Sequence, residues 1–153
     1  MERTLIIVKP DALQRNLLGE IIHRFERKGL KIVGLKMMAI DDLKVEEHYA
    51  HHIDKPFFAN LKSFMQSAPV VAMALEGLET VNAVRLITGD TKGREADAGT
   101  IRGDFGYDSP LLSNSSKRSV HNLIHASGSV AEAKFERQLW FKEKEICQSK
   151  KEK

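Results

Sequence analysis

Apolar residues along this chain fall into two alternating spacings. Leu5 to Val8 and Val70 to Leu75 are unbroken apolar runs, short enough to suit strands covered on both faces. Leu18, Ile21, Ile22 and Phe25 recur at helical spacing and predict an amphipathic helix that Gly29 stops. Leu30 to Met38 reads as a second strand. Asp41 and Asp42 can cap a helix running through His52, and Pro56 opens a short helix with Leu61 and Phe64 on its inner side. Leu78, Val81 and Val84 predict another helix between Gly77 and Gly89. Asn122, Leu123 and Ile124 form a last strand ending at His125, where the chain turns, and Val130 to Arg137 is the final helix. The stretches Asp90 to Gly99 and Tyr107 to Ser119 are polar and loop-like, the second being the more insertion-like. This order fits an α/β (α+β) chain with a ferredoxin-like split βαβ plan: a four-stranded, mainly antiparallel sheet with helices packed on it.

The length of 153 residues suits one domain. The net charge of +3 is partly concentrated in the tail from Lys142 to Lys153, so the body is nearly balanced. That weighs against a dedicated nucleic-acid binder and leaves room for a local basic pocket. The one cysteine, Cys147, cannot form an intramolecular disulfide, which points to a reducing compartment. The apolar run after Met1 is too short for a secretory or membrane segment, so a cytoplasmic location is expected.

No GxxxxGK[ST] phosphate loop, GxGxxG fingerprint, protein-kinase set, GxSxG elbow or cysteine–histidine zinc cluster occurs. His48, His51 and His52 could share a metal on one helix face, but a solvated face explains them more simply. Phe57 and Phe58 cannot both point inward on a helix, so one is free to stack on a planar ligand, or the two meet different core neighbours. Lys9, Arg85, Thr91, Arg102 and His125 suit phosphate chemistry, arginine as a bidentate fork and lysine as a point charge. His125 beside a helix start has two readings: a capped turn residue, or a nucleophile whose phosphoryl group the helix N–H groups would hold.

Taken as ordered blocks, ERTLIIVKPDALQR, GEIIHRFERKGLKIVGLKMM, EEHYAHHIDKPFF, PVVAMALEG, GTIRGDF and NLIHAS followed by Glu136 resemble the nucleoside diphosphate kinase family over nearly the whole chain. The resemblance implies a kinase domain over 1–141 with a charged tail over 142–153. It implies that His125 takes the terminal phosphoryl group of a nucleoside triphosphate through Nδ1 and passes it to a diphosphate in a ping-pong cycle. Glu136 would orient the ring, with Ser127 in the same network. Arg85, Thr91 and Arg102 would hold phosphates, and Lys9 and Asn122 would meet the sugar. Lys9 and Tyr49 would lie near the transferred group, with Phe57 stacking on the base beside Leu61. Implied partners are ATP and other nucleoside tri- and diphosphates, with Mg2+ on the phosphates and no protein metal ligand. A homo-oligomer, tetramer or hexamer built from dimers, is also implied. The alternative is a catalytically silent nucleotide- or nucleic-acid-binding module on the same fold.

Three departures from the family pattern stand out. Gly128 replaces a usual aspartate, and Gly93 replaces a usual proline. The stretch Tyr107 to Ser119 is longer by roughly ten residues, a modest addition in loop entropy. That stretch displaces the segment that usually lies against the second face of the base.

Overall fold

The computed structural model describes residues 1–148. Four strands, β1 (Glu2–Val8), β2 (Lys31–Met38), β3 (Val70–Gly77) and β4 (Ile124–Ala126), form one sheet in the order β2-β3-β1-β4. All three pairings are antiparallel, which is the expected ferredoxin-like arrangement. Helices α1 (Pro10–Gln14), α2 (Leu18–Arg27), α3 (Asp42–His48), α4 (Phe58–Met65), α5 (Thr80–Thr88), α6 (Ile101–Phe105), α7 (Pro110–Ser115) and α8 (Val130–Trp140) cover it.

The unbroken apolar runs follow from this two-sided cover. In β1, Leu5 and Ile7 pack with Val45, Tyr49, Met65 and Trp140 on one face. Ile6 and Val8 pack with Ile21, Phe25, Val84 and Ile101 on the other. Strand alternation thus feeds two cores from one segment.

Several boundaries differ from the sequence reading. The helix expected through His52 ends at His48, and a single 3-10 turn (Ala50–His52) follows. Asp41 does cap that helix, its carboxylate accepting from Lys44 N–H. Leu78 lies outside α5 and is 81% exposed, because Glu79 is left-handed (φ 45°) and restarts the chain; Val81 and Val84 face the core. The short helices α1, α6 and α7 have too few turns for apolar periodicity to show. Their signals are local: Pro10 at the start of α1, the Thr100 cap of α6, and the Ser109 cap with Pro110 for α7. The last strand begins at Ile124 rather than Asn122, and His125 lies inside it opposite Ile7 rather than at the turn. Helix α8 continues past Arg137 to Trp140.

Gly93 is buried where a Cβ would come within 2.9 Å of the Gly106 backbone, a close approach that no larger residue at 93 fits without a shift. After Trp140 the chain turns back along β2: Ile146 packs on the core and Cys147 N–H donates to the Val33 carbonyl at 2.7 Å. The end of the charged tail, residues 149–153, lies outside the described residues. Among the described residues no helix is long and apolar enough to cross a membrane.

Candidate active site

The site is built around a strained turn. Leu123 has φ 71°, and Ile124 N–H donates to the Asn122 carbonyl two residues back at 2.8 Å, the rarer form of γ-turn. Such a backbone costs about 1–3 kcal/mol and persists only where neighbours over-determine it. Here they do. Leu123 N–H donates to the Asp11 carboxylate at 3.0 Å, and Lys9 N–H donates to the Leu123 carbonyl at 2.9 Å. Buried Arg102 donates to the carbonyls of Asn122 (3.0 Å), Ile124 (2.5 Å) and Gly89 (3.1 Å). The turn aims His125 from β4 toward α3 and α8.

His125 Nε2 lies 2.8 Å from Glu136 Oε2, and Ser127 Oγ donates to the same oxygen at 2.6 Å. An ionised carboxylate only accepts, so in the neutral ring Nε2 carries the proton and Nδ1 keeps its lone pair. Burial opposes ionisation of Glu136, but the hydrogen bonds from His125 and Ser127 and their charge environment outweigh it and hold its carboxyl below the usual range. His48, expected on a solvated face, is instead buried. Trp140 Nε1–H donates to its Nδ1 at 3.1 Å, and its ring meets that of His125 edge-on at 4.6 Å. Burial, reinforced by His125, pushes His48 down to about 3, so it stays neutral. His48, His125 and Glu136 bring ligand-type atoms within 4.8 Å of one another. With Trp140 on Nδ1, however, the neutral His48 carries its proton on Nε2. The Glu136 oxygen is likewise shared by two donors, so the cluster reads as a closed hydrogen-bond set.

Two clefts meet at His125. The first, about 270 Å3, is lined by Lys9, Arg85, Thr91, Arg102 and Asn122. The second, about 350 Å3, is lined by Lys9, Tyr49, Phe57, Leu61 and Asn122, with α7 and its flanks opposite. All eleven site residues named from the sequence therefore gather around one imidazole, with Ser127 and Glu136 supporting it from behind. Lys9 Nζ donates to Asn122 Oδ1 at 2.7 Å, and Asn122 Nδ2 donates to the Thr91 carbonyl at 3.3 Å. Burial, with Arg102 nearby, lowers the Lys9 ammonium to about 8. Burial also lowers Arg102 to about 10, with Arg85 adding to the effect. Burial raises the Tyr49 phenol above its ordinary value, with Glu136 adding to the effect. Phe57 is 48% exposed while Phe58 turns toward the core, the division that the paired phenylalanines require.

The helix start beside His125 is partly occupied by its own residues. Ser129 Oγ accepts from Glu132 N–H at 3.1 Å, and Gly128 N–H donates to Glu132 Oε2 at 2.9 Å. Positive charge beside the imidazole comes also from Lys9, Arg85 and Arg102, which line the adjoining cleft. Where the family has its usual aspartate, Gly128 is bonded by Glu132, and Ser129 caps the helix. Three residues escaped the sequence reading, Asp11, Trp140 and Asp90, the last an acid lining the first cleft. Asp11 follows the strand-ending Lys9-Pro10, and that adjacency was the available signal.

A β2-β3-β1-β4 antiparallel sheet with a carboxylate-backed histidine at the junction of a basic and an aromatic cleft defines a phosphate-handling α+β protein. The family model described as nucleoside diphosphate kinase matches residues 2–146. A Staphylococcus haemolyticus nucleoside diphosphate kinase is 51% identical, over 95% of this chain and 91% of its own. One from Pyrococcus furiosus is 49% identical, over 95% and 86%. Among solved structures, the Borrelia burgdorferi nucleoside-diphosphate kinase with bound vanadate and ADP, a transition-state mimic, superimposes with a TM-score of 0.92. It is 39% identical, and the match covers 98% of this chain and 92% of that one. The Halobacterium salinarum enzyme in complex with CDP gives a TM-score of 0.87 at 44% identity, covering 98% and 93%. The chain belongs to the nucleoside diphosphate kinase family.

Proposed function

We propose that this enzyme moves the terminal phosphoryl group of a nucleoside triphosphate onto a nucleoside diphosphate, with His125 carrying the group between two half-reactions. The supporting observation is the tautomer: Glu136 and Ser127 fix the ring through Nε2, so the unprotonated Nδ1 is the nitrogen free to attack. In the first half-reaction Nδ1 bonds to the terminal phosphorus as the bond from phosphorus to the bridging oxygen breaks, and the diphosphate departs with that electron pair. In the second, a diphosphate oxygen attacks the same phosphorus and the P–N bond breaks. A loose transition state needs positioning and charge neutralisation more than proton transfer. Arg85, Thr91 and Arg102 hold the phosphates, Lys9 and Asn122 take the sugar hydroxyls, and Tyr49 and Lys9 lie beside the moving group. Phe57 stacks on the base next to Leu61. Glu136 offsets the positive charge of the phosphoimidazole.

Magnesium suits this donor set, because it prefers oxygen ligands, several of them phosphate or water, with one or two carboxylates. The ion would ride on the phosphate oxygens and water, with Asp90 a nearby carboxylate lining the same cleft. When bound, the ion neutralises phosphate charge. We further assign a cytoplasmic location on the reducing-compartment argument from the lone Cys147. A domain over 1–141 with a tail over 142–153 and assembly from dimers into a tetramer or hexamer complete the reading.

The decisive experiment is labelling with γ-phosphate-labelled ATP. Acid-labile, base-stable label on the wild type and none on His125→Ala is expected; full label on that variant refutes the assignment. A chain without label that binds oligonucleotides in a salt-dependent way would instead support the silent binding module.

A further inference from the structure

Two arginines outside the active site show how this chain settles a sheltered guanidinium. Arg118 donates twice to the buried Asp108 carboxylate across the stems of α7, at 2.5 and 2.9 Å. Arg24 donates to Asp104 at 2.6 Å. Arg137 on α8 departs from that pattern. It is half-buried, and among the described residues no carboxylate pairs with it. The charge it meets is that of another arginine: burial, with Arg3 adding to the effect, lowers its guanidinium below the ordinary value.

Arg3 and Arg137 border a cleft of about 370 Å3, together with Glu2, Glu76, Val130 and Lys134. The cleft follows from the shortness of β4, which pairs with β1 only at Ile6–Val8 and leaves the first residues of β1 uncovered on that side. Val130, Lys134 and Arg137 recur at helical spacing, so one face of α8 meets the opening. Both acids of the cleft are engaged. Glu2 accepts from Val81 N–H at 2.7 Å, and Glu76 accepts from Arg3 Nε at 2.6 Å. Exposed Lys134 adds a third cation, and like Arg137 it has no ion pair among the described residues. None of these residues lines either cleft at His125.

We propose that the cleft between the start of β1 and α8 is a second, non-catalytic anion site, in which Arg3, Lys134 and Arg137 hold a phosphate group. A guanidinium fork takes two phosphate oxygens and an ammonium takes a third. A dianion also offsets the repulsion between the two arginines, which a carboxylate with one charge does less well. The site needs neither His125 nor a nucleotide, so it stands apart from the kinase reading: a chain that takes no label but binds phosphate here refutes that reading alone.

The test titrates inorganic phosphate calorimetrically into wild type, Arg137→Gln and Lys134→Gln, with the catalytic cleft first filled by one equivalent of ADP per chain. Wild type is expected to bind one phosphate per chain. Arg137→Gln should weaken that binding roughly 10-fold or more, and Lys134→Gln, an exposed change that leaves the fold alone, roughly 3- to 10-fold. The kcat of both variants stays within twofold. Phosphate should raise the melting temperature of the ADP-loaded wild type but not of Arg137→Gln, which without phosphate is at least as stable because Arg3 loses a like-charged neighbour. Sedimentation with vesicles containing phosphatidic acid separates the sources of the group. Capture that Arg137→Gln abolishes assigns the site to a lipid headgroup, and phosphate binding without capture assigns it to free phosphate compounds. No phosphate heat once ADP is bound, or equal affinity in wild type and both variants, overturns the proposal.

Discussion

Replacing Glu136 by alanine separates orientation from binding. The wild-type carboxylate oxygen accepts from His125 Nε2 at 2.8 Å and from Ser127 Oγ at 2.6 Å, and the residue is 9% exposed. A hydrogen bond to a charged partner contributes about 1.5–3 kcal/mol. Here that stabilisation grows as the imidazole acquires positive charge on accepting phosphorus. Losing it should slow phosphoenzyme formation roughly 10- to 150-fold. Glu136→Gln keeps an acceptor without the charge and should lose roughly 3- to 10-fold. Glu136 does not line either nucleotide cleft, so the ADP dissociation constant should stay within about twofold. Single-turnover quench-flow with labelled ATP gives the rate, and equilibrium titration gives the affinity. An alanine variant that phosphorylates at the wild-type rate refutes the orienting role. So does one whose rate loss is matched by lost binding.

Other outcomes follow from the same geometry. The free Lys9 ammonium sits at about 8, so nucleotide affinity that depends on its charge should weaken as pH rises through 8. The loss should be up to about tenfold per pH unit and absent in Lys9→Met, measured as the ADP dissociation constant from pH 6.5 to 9.5. Arg102→Ala removes the donors to three carbonyls around a strained turn and should lower stability by about 2–4 kcal/mol in urea unfolding. Arg102→Lys should recover little of it, since one ammonium cannot span three carbonyls. His48 is lowered from 6.5 to about 3 in the fold, so its contribution is fully present above 6.5 and is lost as pH falls toward 3. Unfolding free energy should drop by up to about 1.4 kcal/mol per pH unit across that window. His48→Gln should flatten this acid limb in urea titrations between pH 7 and 4.

What could be read in advance follows from how local each cause is. The two cores were visible because Leu5 to Val8 in β1 and Val70 to Leu75 in β3 are apolar at every position, and α2 because one face repeats over two turns. The cap at Asp41 and the division of labour between Phe57 and Phe58 depend on near neighbours, so they were legible too. The Leu123 turn was not. A leucine at positive φ has no compositional mark, and its supports come from Asp11 and Arg102, distant in sequence. His48 looked solvated beside two glutamates, because the indole that buries it lies 92 residues on. Arg102 was read as a phosphate ligand alone, whereas three backbone carbonyls also claim its donors. The gathered positions of Lys9, Tyr49, Arg85 and His125 came from the family resemblance; no spacing along the chain encodes them.

The Asp108–Arg118 clasp has an engineering consequence. By joining the two stems of an excursion of about ten residues, it insulates the sheet from whatever lies between them, and closing a loop of that size is a small entropic burden. The enclosed segment is in effect an exchangeable cassette. Substituting or shortening it between 109 and 117 should reshape the cleft it lines while leaving the chemistry at the imidazole intact. Cutting the clasp itself would unmoor the scaffold as well.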